Sequence, residues 1–456
     1  MSEATRILSE FCENITYEDI PQEVIDRTKL LLLDTIGIIV RARHDSESTD
    51  SLLAGIDKLG LTDGKCSVFG DTQNYAPAAA ALINGTLAHS LDFDDTHAEA
   101  SVHASAPIIP AAIAAAQLKG ASGRELLTAC VVGYETHIRL GEAIGAADHY
   151  ERGFHPSATC GIFAAAAAAG KILKLTGEQF RYAFGIALSQ SAGSMQFLTD
   201  GAWTKRLHVG QASQNGLMAA FYAHEGFKGP EEAFEGKWGF FNSYSSVANH
   251  GRATEGLGKS WKTMTLGVKP YPSCRYSHAA IDGILDILDE NNLNTHSDIK
   301  IDVGLSKRGY GIIGNPLDQK QKPKSIVDGQ FSMPFSAAVA FKRQGLVWDD
   351  YRECLDDNET LELCKNINVY IDDEAESFSP ENMSAKVKIH AGEESYERFV
   401  QIPKGEPENF MSGDEFLFKF NSLCAPYMTD GDMARLSDSI LTLESRNNIA
   451  EALFSA

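Results

Sequence analysis

Paired cysteines, phosphate-binding glycine loops and long apolar runs are all missing from this 456-residue chain, and each absence closes a class of function. The eight cysteines (12, 66, 130, 160, 274, 354, 364 and 424) are scattered, and the nearest two, Cys354 and Cys364, stand ten positions apart. With no C-x-x-C, neither a zinc ribbon nor an iron–sulfur ligand run is signalled, and reduced thiols in a cytosol-like compartment are expected. There is no G-x-G-x-x-G, H-E-x-x-H or G-x-S-x-G, which leaves dinucleotide, zincin and serine-hydrolase readings without support. The piece Gly256 to Ser260 imitates the end of a phosphate loop, but Ala253 stands where its first glycine belongs. The apolar run from Gly161 is broken by Lys171, far short of the roughly 20 residues a membrane span needs. The N-terminus lacks a basic segment followed by an apolar core, so a cytoplasmic protein is expected. Basic residues are also scarce: 40 against 62 acidic ones give a formal charge of −22. That balance argues against nucleic acid or an anionic membrane as partner, although a local group of cations can still hold a small anion.

What is present is concentrated between Asn84 and Ser105, where N-G-T-L-A-H-S-L-D-F-D-D-T-H-A-E-A-S-V-H-A-S carries four carboxylates and three histidines. Asp92, Asp94, Asp95, His97, Glu99 and His103 crowd a place that the flanking alanine-rich pattern marks as buried. Like charges forced together in a dry place shift one another's pKa, which prepares proton transfer near neutral pH. A metal site and a purely structural ion-pair cluster stand beside that reading. Against the metal, D-D-x-x-D fails at Ala98, and His97 and His103, six apart, do not share a helical face.

Cations gather further on. Lys205, Arg206 and His208 fall in G-A-W-T-K-R-L-H-V-G, read as a loop between helices, and Lys269 precedes Tyr271-Pro272, with Arg275 and His278 following. An isolated lysine is ordinarily a solvated surface charge. Two such groups beside aromatics and prolines suggest carboxylate anchors, lysine as a point charge and arginine as a bidentate fork. His155, ahead of a helix start, is either a core histidine or a functional one.

Length alone implies two domains or more. Helical spacing runs through Glu3–Ile15, Pro21–Val40, Ala78–Leu91, Ala106–Leu118, Gly123–Ile144, Gly161–Leu173, Gly177–Gln190 and Gln211–Gly226. After Gly267 the pattern changes. Strands are expected at 299–306, 367–371, 385–390 and 398–402, with helices at 275–288, 332–343 and 349–354. The fold class is therefore mainly α: a large helical domain over 1–267, completed by 405–456, with an inserted α+β domain over 268–404 built on an antiparallel sheet.

Five stretches carry a resemblance. N-G-T-L-A-H-S-L-D-F-D-D-T-H, R-G-F-H-P-S-A-T-C-G-I-F, T-K-R-L-H-V-G-Q-A-S, K-P-Y-P-S-C-R-Y-S-H-A-A-I-D and G-Q-F-S-M-P-F-S-A-A-V-A, in that order, resemble the MmgE/PrpD family, which includes 2-methylcitrate dehydratase, cis-aconitate decarboxylase and iminodisuccinate epimerase. The resemblance implies a homodimer and a site between the domains that uses no metal and no cofactor. Its substrate would be a small di- or tricarboxylate. By motif it assigns Asp92, Thr96, His103, His155, Lys205 and Lys269 to the site. Phe335 stands where many relatives carry tyrosine, and the T-H-A-E-A-S-V-H-A-S spacing resembles the fungal decarboxylase form. The shared step would be proton transfer at a carbon next to a carboxylate. Lys205 and Lys269 would hold carboxylates, His103, oriented by Asp92, would act as base or acid, and His155 would deliver a second proton. Dehydration is the leading expectation. Decarboxylation and epimerisation are its rivals, and a non-catalytic carboxylate-binding protein is a more distant one.

Overall fold

The structure is a computed structural model describing residues 3–291, 293 and 299–454. The chain divides into two compact units, Met1–Gly267 with Phe416–Ala456, and Val268–Glu415. The return to the helical unit thus comes later than the expected residue 405.

In the first unit, α1 (Gln22–Asp45), α2 (Pro77–Ala88), α3 (Ser105–Lys119), α4 (Gly123–Ile144), α5 (Gly161–Ile172) and α6 (Thr204–His224) form the body. Proline opens α2, where a missing N–H donor costs nothing. A glutamate-closed capping box at Ser122 starts α4. Helices α2, α3 and α5 are apolar almost all round and correspondingly buried on nearly every side. Their alanines and glycines let the backbones meet closely. A Cβ placed on Gly216 of α6 would lie 2.5 Å from the Ile162 carbonyl of α5, and one on Gly210 would lie 2.5 Å from the Leu82 carbonyl of α2. Gly210 therefore marks a close crossing of α6 on α2. The glycine-rich stretch read as a loop before residue 211 is instead the start of α6, which begins at Thr204. Lys205, Arg206 and His208 ride on that first turn and a half. No described helix is long and apolar enough to cross a membrane.

In the second unit, α7 (His278–Asn291) and α8 (Met333–Arg343) pack on a four-stranded sheet made of β1 (Ile299–Leu305), β2 (Ile367–Ile371), β3 (Ala385–Ala391) and β4 (Glu394–Val400). The order is β2-β1-β3-β4, antiparallel for β1 with β3 and β3 with β4, whereas edge strand β2 runs parallel to β1. Val303 sits opposite Val387 and Val369, and Ile301, Val303 and Leu305 are buried with Val387 and Ile389. The last strand starts earlier than expected because Gly392, at φ 63°, turns a tight hairpin directly into it.

Candidate active site

Helix α2 ends at Ala88 with His89 as its cap, and the chain then runs through a loop before α3 begins at Ser105. Asp92 adopts a left-handed backbone with φ 51°, an uncommon state for a residue with a Cβ. Its carboxylate is only partly buried and meets the Lys205 ammonium, Nζ to Oδ1 3.0 Å. Asp94, two residues on, is wholly buried and meets imidazoles rather than the lysine. Its Oδ2 accepts from His89 Nδ1 at 2.8 Å and stands 3.2 Å from His103 Nδ1. The carboxylate at 3.2 Å from His103 is thus that of Asp94, while Asp92, the acid expected to orient it, pairs with Lys205 and also brings an oxygen within 4.8 Å of the same group. With the left-handed turn at Asp92, one acid meets the lysine and the acid two residues on meets the imidazoles, their oxygens staying within 4.8 Å of each other.

Charge follows from this packing. Burial alone would raise the Asp94 carboxyl, but the His103 and His89 imidazoles beside it prevail and hold it well below the ordinary carboxylate range. Burial lowers His89 to about 4, against the pull of Asp94, so its ring is neutral at pH 7. Asp95 is pushed up to about 7 by burial and then by the neighbouring Asp94 charge. It accepts from the Ser105 amide (3.1 Å) and hydroxyl (2.8 Å), and that hydroxyl also meets Tyr134 Oη at 2.7 Å. Asp95 thus satisfies the exposed donors at the start of α3. For Lys205, burial pulls the ammonium pKa down, but the charge and hydrogen bond of Asp92 with the nearby Asp94 and Tyr150 together raise it.

Histidine rings continue from this centre. His103 and His89 have centroids 4.4 Å apart, His89 and His155 6.0 Å, and His155 and His208 5.9 Å. His155 is completely buried, and neither of its ring nitrogens has a hydrogen-bond partner among the described residues. Burial first, then the surrounding cations and imidazoles, hold its pKa well below the usual histidine value. The Nε2 of His89 and the Nδ1 of His208 are likewise unpartnered there. Buried imidazole nitrogens without partners are costly unless something else binds them.

The other residues singled out from the sequence have contacts of their own. His97 accepts from the Ala100 amide at Nδ1 (3.0 Å) and meets Thr265 Oγ1 at Nε2 (3.0 Å). Glu99 pairs with Arg252. Thr96 bridges its backbone to Gly267 at 2.8 and 2.9 Å. Arg206 donates to the Ser46 and Ser48 hydroxyls (3.2 and 3.4 Å), so it braces the chain after α1 rather than joining the histidines. In the second unit Lys269 is 4% exposed and Arg275 is ion-paired with Glu406. Phe335 is fully buried and stacked on Tyr351, whose hydroxyl donates to the Pro272 carbonyl at 2.8 Å.

His89 is the residue that sequence reasoning passed over, and Asp94, named there as part of the cluster, was given no role of its own. The signal for His89 was a histidine capping a largely apolar helix, a place where a buried ring needs a partner. Together His89, Asp92, Asp94 and His103 bring donor atoms within 4.8 Å of one another, a mixed carboxylate and imidazole set of the kind that takes divalent ions. Here the Lys205 ammonium already supplies positive charge to Asp92, and His89 Nδ1 spends its proton on Asp94. The arrangement can do proton transfer: a carboxylate that fixes an imidazole tautomer, beside a cation able to receive an anion.

The MmgE/PrpD N-terminal domain description matches residues 6–252, and the MmgE/PrpD C-terminal domain description matches residues 271–444. Among known proteins, the cis-aconitate decarboxylase of Aspergillus terreus is 28% identical over 98% of this chain and 95% of its own length. The cis-aconitate decarboxylase-like protein oryM of Aspergillus oryzae is 29% identical over 98% of this chain and 96% of its own. Human cis-aconitate decarboxylase is 32% identical over 49% of this chain and 47% of its own.

Proposed function

This chain belongs to the MmgE/PrpD family, and we propose that it is a lyase acting on a small di- or tricarboxylic acid by moving a proton at a carbon next to a carboxylate. The observation that carries the reading is the shared Asp94 carboxylate beneath His89 and His103, set beside the Lys205–Asp92 pair. With Nδ1 of His103 3.2 Å from the Asp94 carboxylate, its Nε2 would be the nitrogen that exchanges protons, and Asp94 would stabilise the imidazolium when it forms. Lys205 supplies the charge for a substrate carboxylate and for the negative charge that builds up on it during reaction.

Decarboxylation comes first among the possible reactions. Relatives that align over nearly the whole chain include a cis-aconitate decarboxylase and a cis-aconitate decarboxylase-like protein. In that reaction the bond to the departing carboxylate breaks, CO₂ leaves, the electron pair is delocalised toward a remaining carboxylate, and an imidazolium returns a proton to carbon. Dehydration is the second reading, favoured by His155, a further imidazole with both nitrogens unpartnered, which could protonate a leaving hydroxyl. Incubation with cis-aconitate, 2-methylcitrate and iminodisuccinate, followed by proton NMR, distinguishes them. CO₂ with a shortened acid supports the first and water loss the second, while deuterium uptake without net turnover marks an epimerase. Binding with neither exchange nor turnover would leave a carboxylate-binding protein and overturn the proposal.

A further inference from the structure

Lys419 lies on the helix Gly413–Cys424, far in sequence from the histidine loop, yet its side chain is only 3% exposed. Its ammonium is 2.6 Å from Asp34 Oδ1 on α1, and Asp34 is itself buried. The same nitrogen donates to the Phe93 carbonyl at 3.0 Å and lies 3.7 Å from the centre of the Phe93 ring. Phe93 is the residue between Asp92, which holds Lys205, and Asp94, which holds the two imidazoles. The approach is possible because Gly37, one turn beyond Asp34, sits so close to the Gly413–Cys424 helix that a Cβ there would lie 3.1 Å from the Phe420 ring.

We propose that Lys419, held by Asp34, is a positioning residue that fixes the peptide between Phe93 and Asp94 and so sets the Asp92 carboxylate against Lys205 and the Asp94 carboxylate against the imidazoles. A buried ammonium needs full satisfaction, and here its three kinds of partner are a carboxylate, a ring face and the Phe93 carbonyl. The far end of the same loop is tied separately, by Asp95 on Ser105. The loop is thus pinned on both sides of Asp94. Lys419 touches neither imidazole in any recorded contact, and its influence would pass through the backbone.

This inference rests on the proton-transfer reading for its activity assay, so a second readout is needed that requires no substrate. Lys419→Met alone leaves Asp34 buried and uncompensated and can fail to fold. The double variant Asp34→Leu/Lys419→Met replaces the ion pair by apolar side chains of similar size, an exchange that proteins generally tolerate. The expected result is a double variant with a melting temperature close to that of the unaltered protein, kcat lowered about 10- to 100-fold, and KM changed much less. The imidazole ¹⁵N resonances of His89 and His103 should move as well, and they report on the loop even if the acid panel proves the wrong substrates. A double variant that is stable, with kcat and both resonances unchanged, would overturn the inference. So would one that does not fold, since the pair would then serve the unit as a whole.

Discussion

Asp94→Asn is the sharpest perturbation of the site, because an amide of the same shape removes the charge without leaving a hole. In the structure one oxygen of Asp94 serves His89 at 2.8 Å and His103 at 3.2 Å, with the carboxylate wholly buried. An imidazolium formed on His103 during proton transfer would lose its only buried counter-charge at that nitrogen among the recorded contacts. Breaking a buried charge pair costs about 3–5 kcal/mol. At about 1.4 kcal/mol per factor of ten, kcat should fall roughly 10²- to 10⁴-fold. Asp94 faces inward, so KM should change by no more than about threefold, the pattern of an interaction made mainly in the transition state. Initial rates on the acid that the substrate panel identifies, with a melting curve to confirm that the variant is folded, decide the matter. A kcat within tenfold of the unaltered protein, or a loss residing entirely in KM, would refute the assignment of Asp94.

Three further outcomes follow from the same geometry. His89, His149 and His137 are held near 4, 4 and 3 by burial, and His155 lower than the usual value, so all four are neutral when folded and would take up protons near 6.5 when unfolded. Their contribution to stability is complete above about pH 6.5 and is lost as pH falls toward 4, whereas Asp95, raised to about 7, works in the opposite sense by one proton. The urea midpoint should therefore fall between pH 6.5 and 5, and a flat profile would contradict these assignments. Lys205→Met should lower kcat/KM about 10- to 100-fold through loss of a charge-assisted contact to the substrate, and an unchanged KM and kcat would remove it from the site. Gly210→Ala would set a Cβ 2.1 Å from Thr86 Oγ1 and 2.5 Å from the Leu82 carbonyl, so chemical denaturation should show a loss of about 1–3 kcal/mol or more.

Much of the fold was written in local pattern. The alanine-rich segments announced buried helices, and the two-residue alternation after Gly267 announced the sheet. Chain direction within the sheet was not legible, because β2 pairs in parallel with β1 through contacts that only tertiary structure specifies. The start of α6 was hidden by Gly210, whose glycine reflects a close helix crossing but reads in sequence as a break. The crowding of Asp92, Asp94 and His103 was plain from sequence. Which acid meets which base was not, since a single left-handed residue at Asp92 decides it. Lys419 could not be found by motif at all: its partners lie 385 and 326 positions away, and only packing brings them together.

The central claim is that His103, held by Asp94, carries the proton to or from the carbon beside a carboxylate. Deuterium incorporation from D₂O into the product, read by proton NMR for the unaltered protein and for His103→Ala, tests it most directly. The account predicts one deuterium at the carbon next to a carboxylate with the unaltered protein and no measurable incorporation above the uncatalysed background with the variant. Equal incorporation by His103→Ala would contradict it.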